Sequence, residues 1–181
     1  MKRYHVLSAF LITILLIPSF GYSQRALRVQ QKRLALVIGN GEYKSSPLKN
    51  PANDANDMAT MLRNSNFEVI RKINANKGDM LIAIDKFGKK LRSADVGLFF
   101  FAGHGMQVKG QNFLIPIGSY VSTETDIEFE GVAAGRILGK MEAAGSRVNI
   151  IILDACRDNP YYLILIFLMI ILSFELKRIA V

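Results

Sequence analysis

The 181-residue chain contains one cysteine, Cys156, so no intramolecular disulfide can form and stability must come from packing. It also lacks a long basic run. The net charge of +8 falls to +6 without Lys2 and Arg3, and no aromatic residues are interleaved with the remaining basic ones. This distribution indicates a solvated basic surface, and we predict no nucleic-acid partner. Half of the residues are hydrophobic, which excludes an intrinsically disordered chain, and the length fits one domain with extensions.

Motifs that bind metals or cofactors are also missing. There are no His and Cys pairs at the spacing of zinc ligands, and there is no P-loop. Residues 39–41, Gly-Asn-Gly, are too short for a dinucleotide-binding fingerprint. A small-molecule α/β enzyme would need such a motif, so this class is disfavoured, and we predict no cofactor.

The N-terminus has the composition of a secretory signal peptide over residues 1–23. Two basic residues precede an almost entirely apolar run at residues 6–17, which Pro18 ends before the small residues Gly21 and Ser23. Cleavage after Ser23 would give a secreted, periplasmic or cell-envelope protein. No cysteine lies nearby, so attachment of a lipid to a cysteine there is excluded. The alternative is an uncleaved anchor, although the run is shorter than the ~20 residues of a spanning helix.

The C-terminal residues 161–181 are unlike the rest of the chain. Residues 161–174 read YYLILIFLMIILSF, without any amphipathic period, and charged residues follow at 175, 177 and 178. Three interpretations stay open: a membrane-associated tail, an unusual buried segment, or the product of a shifted reading frame or a gene truncation. The abrupt change of composition after Pro160 favours the last of them.

Between these ends, apolar runs of strand length alternate with helical periodicities. We predict strands at 33–38, 67–72, 96–102, 113–116 and 148–155, and helices at about 54–64, 79–91 and 132–144. Asn53 is the predicted N-cap of the first helix. Acidic residues alternate with Thr, Ile and Phe from 124 to 130, which favours a half-exposed strand. This order predicts an α/β layered domain with a mainly parallel sheet and right-handed crossovers.

The chemistry should lie beyond the carboxyl ends of the strands, where ligands gather in open α/β sheets. His104 follows the strand at 96–102, and Cys156 follows the strand at 148–155. A cysteine nucleophile needs an imidazole within hydrogen-bond reach and N–H donors for the oxyanion. Gly105 could bring its backbone N–H close to a reacting carbonyl, beside the N–H of Cys156. The alternatives are a small buried hydrophobic residue for the cysteine and a satisfied loop residue for the histidine.

These residues resemble the caspase-like cysteine peptidases of clan CD, in particular the bacterial caspase-domain and metacaspase-like proteins. The resemblance spans residues 33–160 and is carried by RLALVIGNGEY at 33–43, NPANDANDM at 50–58, FFFAGHG at 99–105, NFLIP at 112–116 and IIILDACRDNP at 150–160. It implies a caspase-like three-layer sandwich. It also implies that Cys156 attacks a peptide carbonyl, that His104 is its acid/base partner, and that the N–H groups of Gly105 and Cys156 form the oxyanion hole.

The resemblance also predicts a preference for peptide bonds that follow basic residues. In metacaspases and paracaspases, acids at the positions of Asp54 and Asp154 line the pocket for the residue before the cut, and two carboxylates would pair with Lys or Arg. The alternatives are a helix first-turn acid for Asp54 and a strand-end acid for Asp154. Some metacaspases use calcium, but their ligand arrangement is not recognisable here, so calcium dependence is the weaker alternative.

The chain departs from the family after Pro160, because caspase-fold domains continue with further strands beyond the cysteine segment. Without them, apolar sheet edge and part of the core would be exposed, and we expect marginal folding or aggregation. The rival hypothesis is therefore a catalytically inactive caspase-fold interaction module or a defective truncated product. The oligomeric state and the physiological protein substrate stay open, as does membrane association through residues 161–181.

Overall fold

The computed structural model describes residues 31–157. Their elements, in chain order, are β1 (Arg33–Gly39), α1 (Pro51–Asn64), β2 (Phe67–Ile73), α2 (Lys77–Leu91), β3 (Val96–Val108), β4 (Gln111–Leu114), α3 (Glu124–Glu130), β5 (Val132–Ala133), α4 (Ala134–Ala144) and β6 (Val148–Arg157). The predicted signal peptide at 1–23 and the apolar tail at 161–181 lie outside the described residues. Within residues 31–157, no helix combines the length and apolar character that crossing a membrane requires.

The sheet has a parallel part and an antiparallel extension. Strands β2, β1, β3 and β6 pair side by side and parallel, with β1 and β3 in the centre. The far end of β3 pairs antiparallel with β4, and β4 pairs antiparallel with β5. The predicted α/β class with a mainly parallel sheet is therefore confirmed.

Helices cover both faces of the sheet because the strand side chains alternate between them. In β3, Phe99 and Phe101 pack into the core with helices α2 and α4. Leu98 and Phe100 point the other way and pack with α1. Each buried side chain of this size stabilises the fold by about 1.5–3 kcal/mol relative to its exposed state. The consecutive phenylalanines thus join the two cores of a three-layer arrangement.

The first helix begins earlier than the sequence pattern predicted. Helix α1 starts at Pro51 with Asn50 in the N-cap position, so the predicted cap, Asn53, lies inside the helix. Proline suits the first helical position, because its fixed φ is helical and its missing N–H would have no partner in the helix. Asp54 stays in the first turn, at the end of the helix that faces the carboxyl ends of the strands.

The acidic run at 124–130 forms helix α3, so the predicted strand was wrong. Thr123 accepts a hydrogen bond from the N–H of Asp126, and the Asp126 carboxylate accepts one from the N–H of Thr123. This capping box satisfies backbone groups that would otherwise lack a partner at the helix start. The helix predicted from 132 also begins two residues later, because Val132 and Ala133 form the edge strand β5.

Candidate active site

The histidine and the cysteine lie inside two neighbouring strands rather than just beyond them. Strand β3 continues through His104 to Val108, and β6 continues through Cys156 to Arg157. The parallel register pairs His104 directly with Cys156. Because neighbouring strands lie about 4.8 Å apart, the two residues are backbone neighbours near the carboxyl ends of β3 and β6. The fold therefore brings together the two residues that the sequence singled out.

A backbone carbonyl fixes the orientation of the His104 ring. The ring atom Nε2 lies 2.7 Å from the carbonyl oxygen of Ser46, in the loop between β1 and α1. A carbonyl oxygen only accepts hydrogen bonds, so Nε2 carries the hydrogen and, in the neutral ring, Nδ1 is the proton acceptor. Ser46 has a φ of 57°, in the left-handed region. Sequence reasoning missed this contact, since a main-chain carbonyl leaves no signature in the residue type.

Tyr43 is a second neighbour of His104 that sequence reasoning missed. Its ring centroid lies 4.4 Å from that of the imidazole, with the two planes at 49°. The Tyr43 hydroxyl accepts a hydrogen bond from the N–H of His104 at 3.0 Å and donates one to the carbonyl of Ile115 at 2.9 Å. Burial raises the pKa of Tyr43 to about 12, although the hydrogen bonds from the His104 backbone and the Asn40 side chain act in the opposite direction. The hydroxyl is therefore neutral and able to donate across the physiological range.

The two glycines that flank His104 have little room for a side chain. A Cβ on Gly103 would lie 2.7 Å from the Tyr43 hydroxyl, and Gly103 has a φ of 155° that other residues rarely adopt. A Cβ on Gly105 would lie 2.9 Å from the Cβ of Ala155 on β6. Glycine at 105 thus allows β3 and β6 to approach closely beside His104 and Cys156.

The two acids predicted to bind substrate also lie close together. Ile150 and Ile152 of β6 pack on the face that α1 covers, and Asp154 is two residues further along the same strand. Asp54 is half-buried in the first turn of α1. Burial raises the pKa of Asp54, and the negative charges of Asp154 and Asp57 raise it further. The structure therefore places the two predicted carboxylates close enough for their negative charges to repel each other.

Asp54→Asn is expected to raise the melting temperature at pH 7 and to leave it unchanged near pH 3. Because the pKa of Asp54 is higher in the folded than in the unfolded chain, ionisation of this group opposes folding as the pH rises. Repulsion and burial thus outweigh the attraction between this carboxylate and the helix dipole. Thermal unfolding followed by circular dichroism between pH 3 and 8 measures the difference.

Glu42→Gln is the control for this variant, since it removes one negative charge from an exposed residue outside the acidic pair. A melting temperature of Asp54→Asn below that of the unmodified chain at pH 7 would contradict the prediction. It would mean that the Asp54 carboxylate is a net stabilising group.

Comparisons with known proteins are consistent with this geometry. A family model of the caspase domain, peptidase family C14, matches residues 32–167. The human mucosa-associated lymphoid tissue lymphoma translocation protein 1 is 29% identical over 131 residues, which are 72% of this chain and 16% of that protein. Its mouse homologue is also 29% identical over 131 residues, which are 15% of its length. The chain therefore spans less than a fifth of the length of these relatives.

Two crystal structures share the fold. Protein GSU0716 from Geobacter sulfurreducens superposes with a TM-score of 0.52 at 19% identity, over 69% of this chain and 50% of that one. The Drosophila initiator caspase Dronc superposes with a TM-score of 0.50 at 13% identity, over 68% of this chain and 50% of that one.

Proposed function

The chain belongs to the caspase domain family, and from that premise we propose that it is a cysteine endopeptidase in which Cys156 is the nucleophile and His104 its acid/base partner. The observation that carries the proposal is the register of β3 and β6, which makes these two residues neighbours. A thiol becomes an effective nucleophile when an imidazole can take its proton. The chemistry is thus proposed at the carboxyl ends of the strands, the usual place for a site in this fold class.

The proposed reaction proceeds in two steps. Nδ1 of His104 takes the thiol proton while the Cys156 sulfur attacks the peptide carbonyl, and the same proton then passes to the leaving amine. Water, deprotonated by the imidazole, then attacks the thioester. The C–S bond breaks, the new carboxylate is released, and the imidazolium returns the proton to the Cys156 thiolate. The hydrogen bond from Nε2 to Ser46 supports Nδ1 as the reacting nitrogen. Every step uses groups of the chain and water, so the proposal includes no cofactor.

The proposed oxyanion hole consists of the backbone N–H groups of Gly105 and Cys156. Its support is the alternation of hydrogen-bonded and non-hydrogen-bonded residue pairs between β3 and β4. Gly105 pairs with Leu114 next to the hydrogen-bonded pair of His104 and Ile115, so its own N–H points away from β4. Gly105 also pairs with β6 on its other edge. Its N–H thus lies on the edge of β3 that faces β6, the strand of Cys156, and in the proposal it donates to the oxygen of the attacked carbonyl there.

The proposed substrates are proteins or peptides with Lys or Arg before the scissile bond. Asp54 and Asp154 would bind the cationic side chain through charge-assisted hydrogen bonds. The raised pKa of Asp54 supports this role, because a cation that binds between the carboxylates relieves the repulsion between them.

The same composition that predicts a signal peptide at 1–23 supports a proposed secreted or cell-envelope location, with residues 161–181 as a proposed membrane contact.

The specificity is tested with peptides that differ only in the residue before the bond: Arg, Lys, Asp, and citrulline as the neutral isostere of Arg. We expect Arg and Lys peptides to be cleaved fastest. Asp54→Asn and Asp154→Asn should each lower kcat/KM for the Arg peptide by about 10- to 100-fold, and that for citrulline far less, because each removes one hydrogen bond to a charged group. Equal losses on both peptides would contradict an acidic specificity pocket, as would faster cleavage after Asp than after Arg.

A further inference from the structure

A side-chain hydroxyl is inserted into the ladder between β3 and β4 at His104. The register pairs Gly105 with Leu114, so the next pair is His104 with Ile115. Two residues in such a hydrogen-bonded pair normally exchange both N–H···O=C bonds. Only one of the two is direct here, from the N–H of Ile115 to the carbonyl of His104 at 2.9 Å. The other is replaced by a relay through the Tyr43 hydroxyl, from His104 N–H at 3.0 Å and on to the Ile115 carbonyl at 2.9 Å.

The surrounding backbone is shaped around this hydroxyl. Gly103 comes so close to it that a Cβ there would lie 2.7 Å from the oxygen, and its φ of 155° is one that glycine tolerates. The fully buried Asn40 donates to the same Ile115 carbonyl at 3.3 Å, and its amide also forms two hydrogen bonds with the backbone of Ala75. The relay therefore lies in a rigid, satisfied network at the point where β3 carries the imidazole.

We propose that Tyr43 is a positioning residue for His104: its hydroxyl spaces β3 from β4 at the His104–Ile115 pair, and its ring supports the imidazole. The inference rests on the proposed function, since it concerns the histidine of that reaction. Tyr43 acts through His104 and has no direct part in bond making. With the spacing fixed, the imidazole keeps Nε2 on the Ser46 carbonyl, which leaves Nδ1 as the proton-accepting nitrogen of the neutral ring.

Tyr43→Phe tests the inference, because it keeps the ring and removes the hydroxyl. In the full chain, we expect kcat for the Arg peptide to fall about 10- to 100-fold with KM nearly unchanged, since a displaced catalytic group lowers the rate of the chemical step. Tyr120→Phe is the matched control, since Tyr120 is 79% exposed, and it should change neither constant. The inference would be overturned if Tyr43→Phe had the same kcat as Tyr120→Phe. It would also be overturned if KM changed by the same factor as kcat.

A second measurement does not depend on activity. The sequence has two histidines, His5 and His104, so in a His5→Gln background the imidazole nitrogen signals in NMR spectra belong to His104 alone. We expect Tyr43→Phe to reduce the fraction of the neutral ring that carries its hydrogen on Nε2. An unchanged ratio of the two ring forms would overturn the inference, even if the wild-type chain hydrolyses no peptide and the proposed function fails.

A folding defect of Tyr43→Phe would not prevent the test. In that case, 3-fluorotyrosine at position 43 keeps the ring and the hydroxyl but weakens the hydroxyl as an acceptor. The fluorinated chain should show a smaller change in the same direction, both in kcat and in the ratio of the two ring forms of His104. No change in that ratio in the folded fluorinated chain would contradict a role for the Tyr43 hydroxyl in positioning His104.

Discussion

Cys156→Ala is expected to abolish hydrolysis of Arg and Lys peptides and to leave the melting temperature of the chain nearly unchanged. Removal of the nucleophile leaves no group that can form the thioester, so kcat should fall by about 10³-fold or more. Alanine keeps most of the small volume of cysteine at this position in β6. Initial rates with fluorogenic peptides, measured beside thermal unfolding of the same samples, give both quantities.

His104→Ala is the companion variant, and it should lower kcat by a similar factor. Because the thiol and the imidazole act as one unit, the double variant should lose little more than either single variant. Cys156 is the only cysteine of the chain, so the rate of alkylation by iodoacetamide against pH reports the state of its thiol. In His104→Ala this profile should move to higher pH, because the imidazolium that stabilises the thiolate is missing.

The outcomes of this experiment separate a wrong mechanism from a failure to fold. Wild-type hydrolysis that persists in Cys156→Ala would place the nucleophile elsewhere and contradict the proposal. Absence of hydrolysis in a wild-type chain that unfolds cooperatively would favour the catalytically inactive module. An aggregated wild-type chain would instead show a failure to fold, which is separate from the mechanism.

The closeness of the proposed catalytic pair could be predicted from sequence because each residue follows an apolar run of strand length. Apolar runs at 96–102 and 148–155 are of strand length, and an α/β order places the ends of parallel strands at one edge of the sheet. The pairing of His104 with Cys156 follows from that order once β3 and β6 are neighbours. Tyr43 could not be predicted in the same way, because its role depends on the path of a loop that returns across the end of β3.

The acidic run shows where periodicity alone fails. Alternating acids at 124, 126, 128 and 130 are typical of the solvent-exposed face of a strand. A short exposed helix, however, also keeps its acids in solvent. The deciding signal was local: Thr123 followed three residues later by Asp126 can form a capping box, although Asp is not the usual partner in that motif. Only Ile127 of this helix is fully buried, so the hydrophobic pattern carried little information.

The acidic pair also shows a conflict between stability and function. Ionised Asp54 opposes folding because of its burial and its proximity to Asp154, whereas the proposed pocket needs both charges. Functional sites commonly hold such unfavourable groups, and the rest of the fold compensates for them. The end of β1 packs closely on the start of α1 at Gly39, and this contact holds Asp54 at the edge of the sheet.

Gly39→Ala is expected to disrupt that contact and to have the largest effect on stability. A Cβ on Gly39 would lie 2.2 Å from the carbonyl oxygen of Pro51 and 2.7 Å from the Cβ of Ala55. Both atoms belong to α1, so the helix would have to move away from the sheet as a unit. Overpacking of this kind costs about 3 kcal/mol. Urea unfolding followed by circular dichroism measures the loss.

The same displacement should reduce specificity, because α1 carries Asp54. In the folded fraction of Gly39→Ala, the ratio of kcat/KM for Arg over citrulline should fall, whereas a purely global loss of stability would lower both values equally. Gly135→Ala is the matched control: Gly135 lies in α4, where a Cβ would meet no other part of the described fold within 4 Å, and alanine there should stabilise the chain by about 0.5–1 kcal/mol. If Gly39→Ala were as stable as the wild type, the close packing of β1 against α1 would be wrong, and with it the argument that this contact fixes Asp54 beside Asp154.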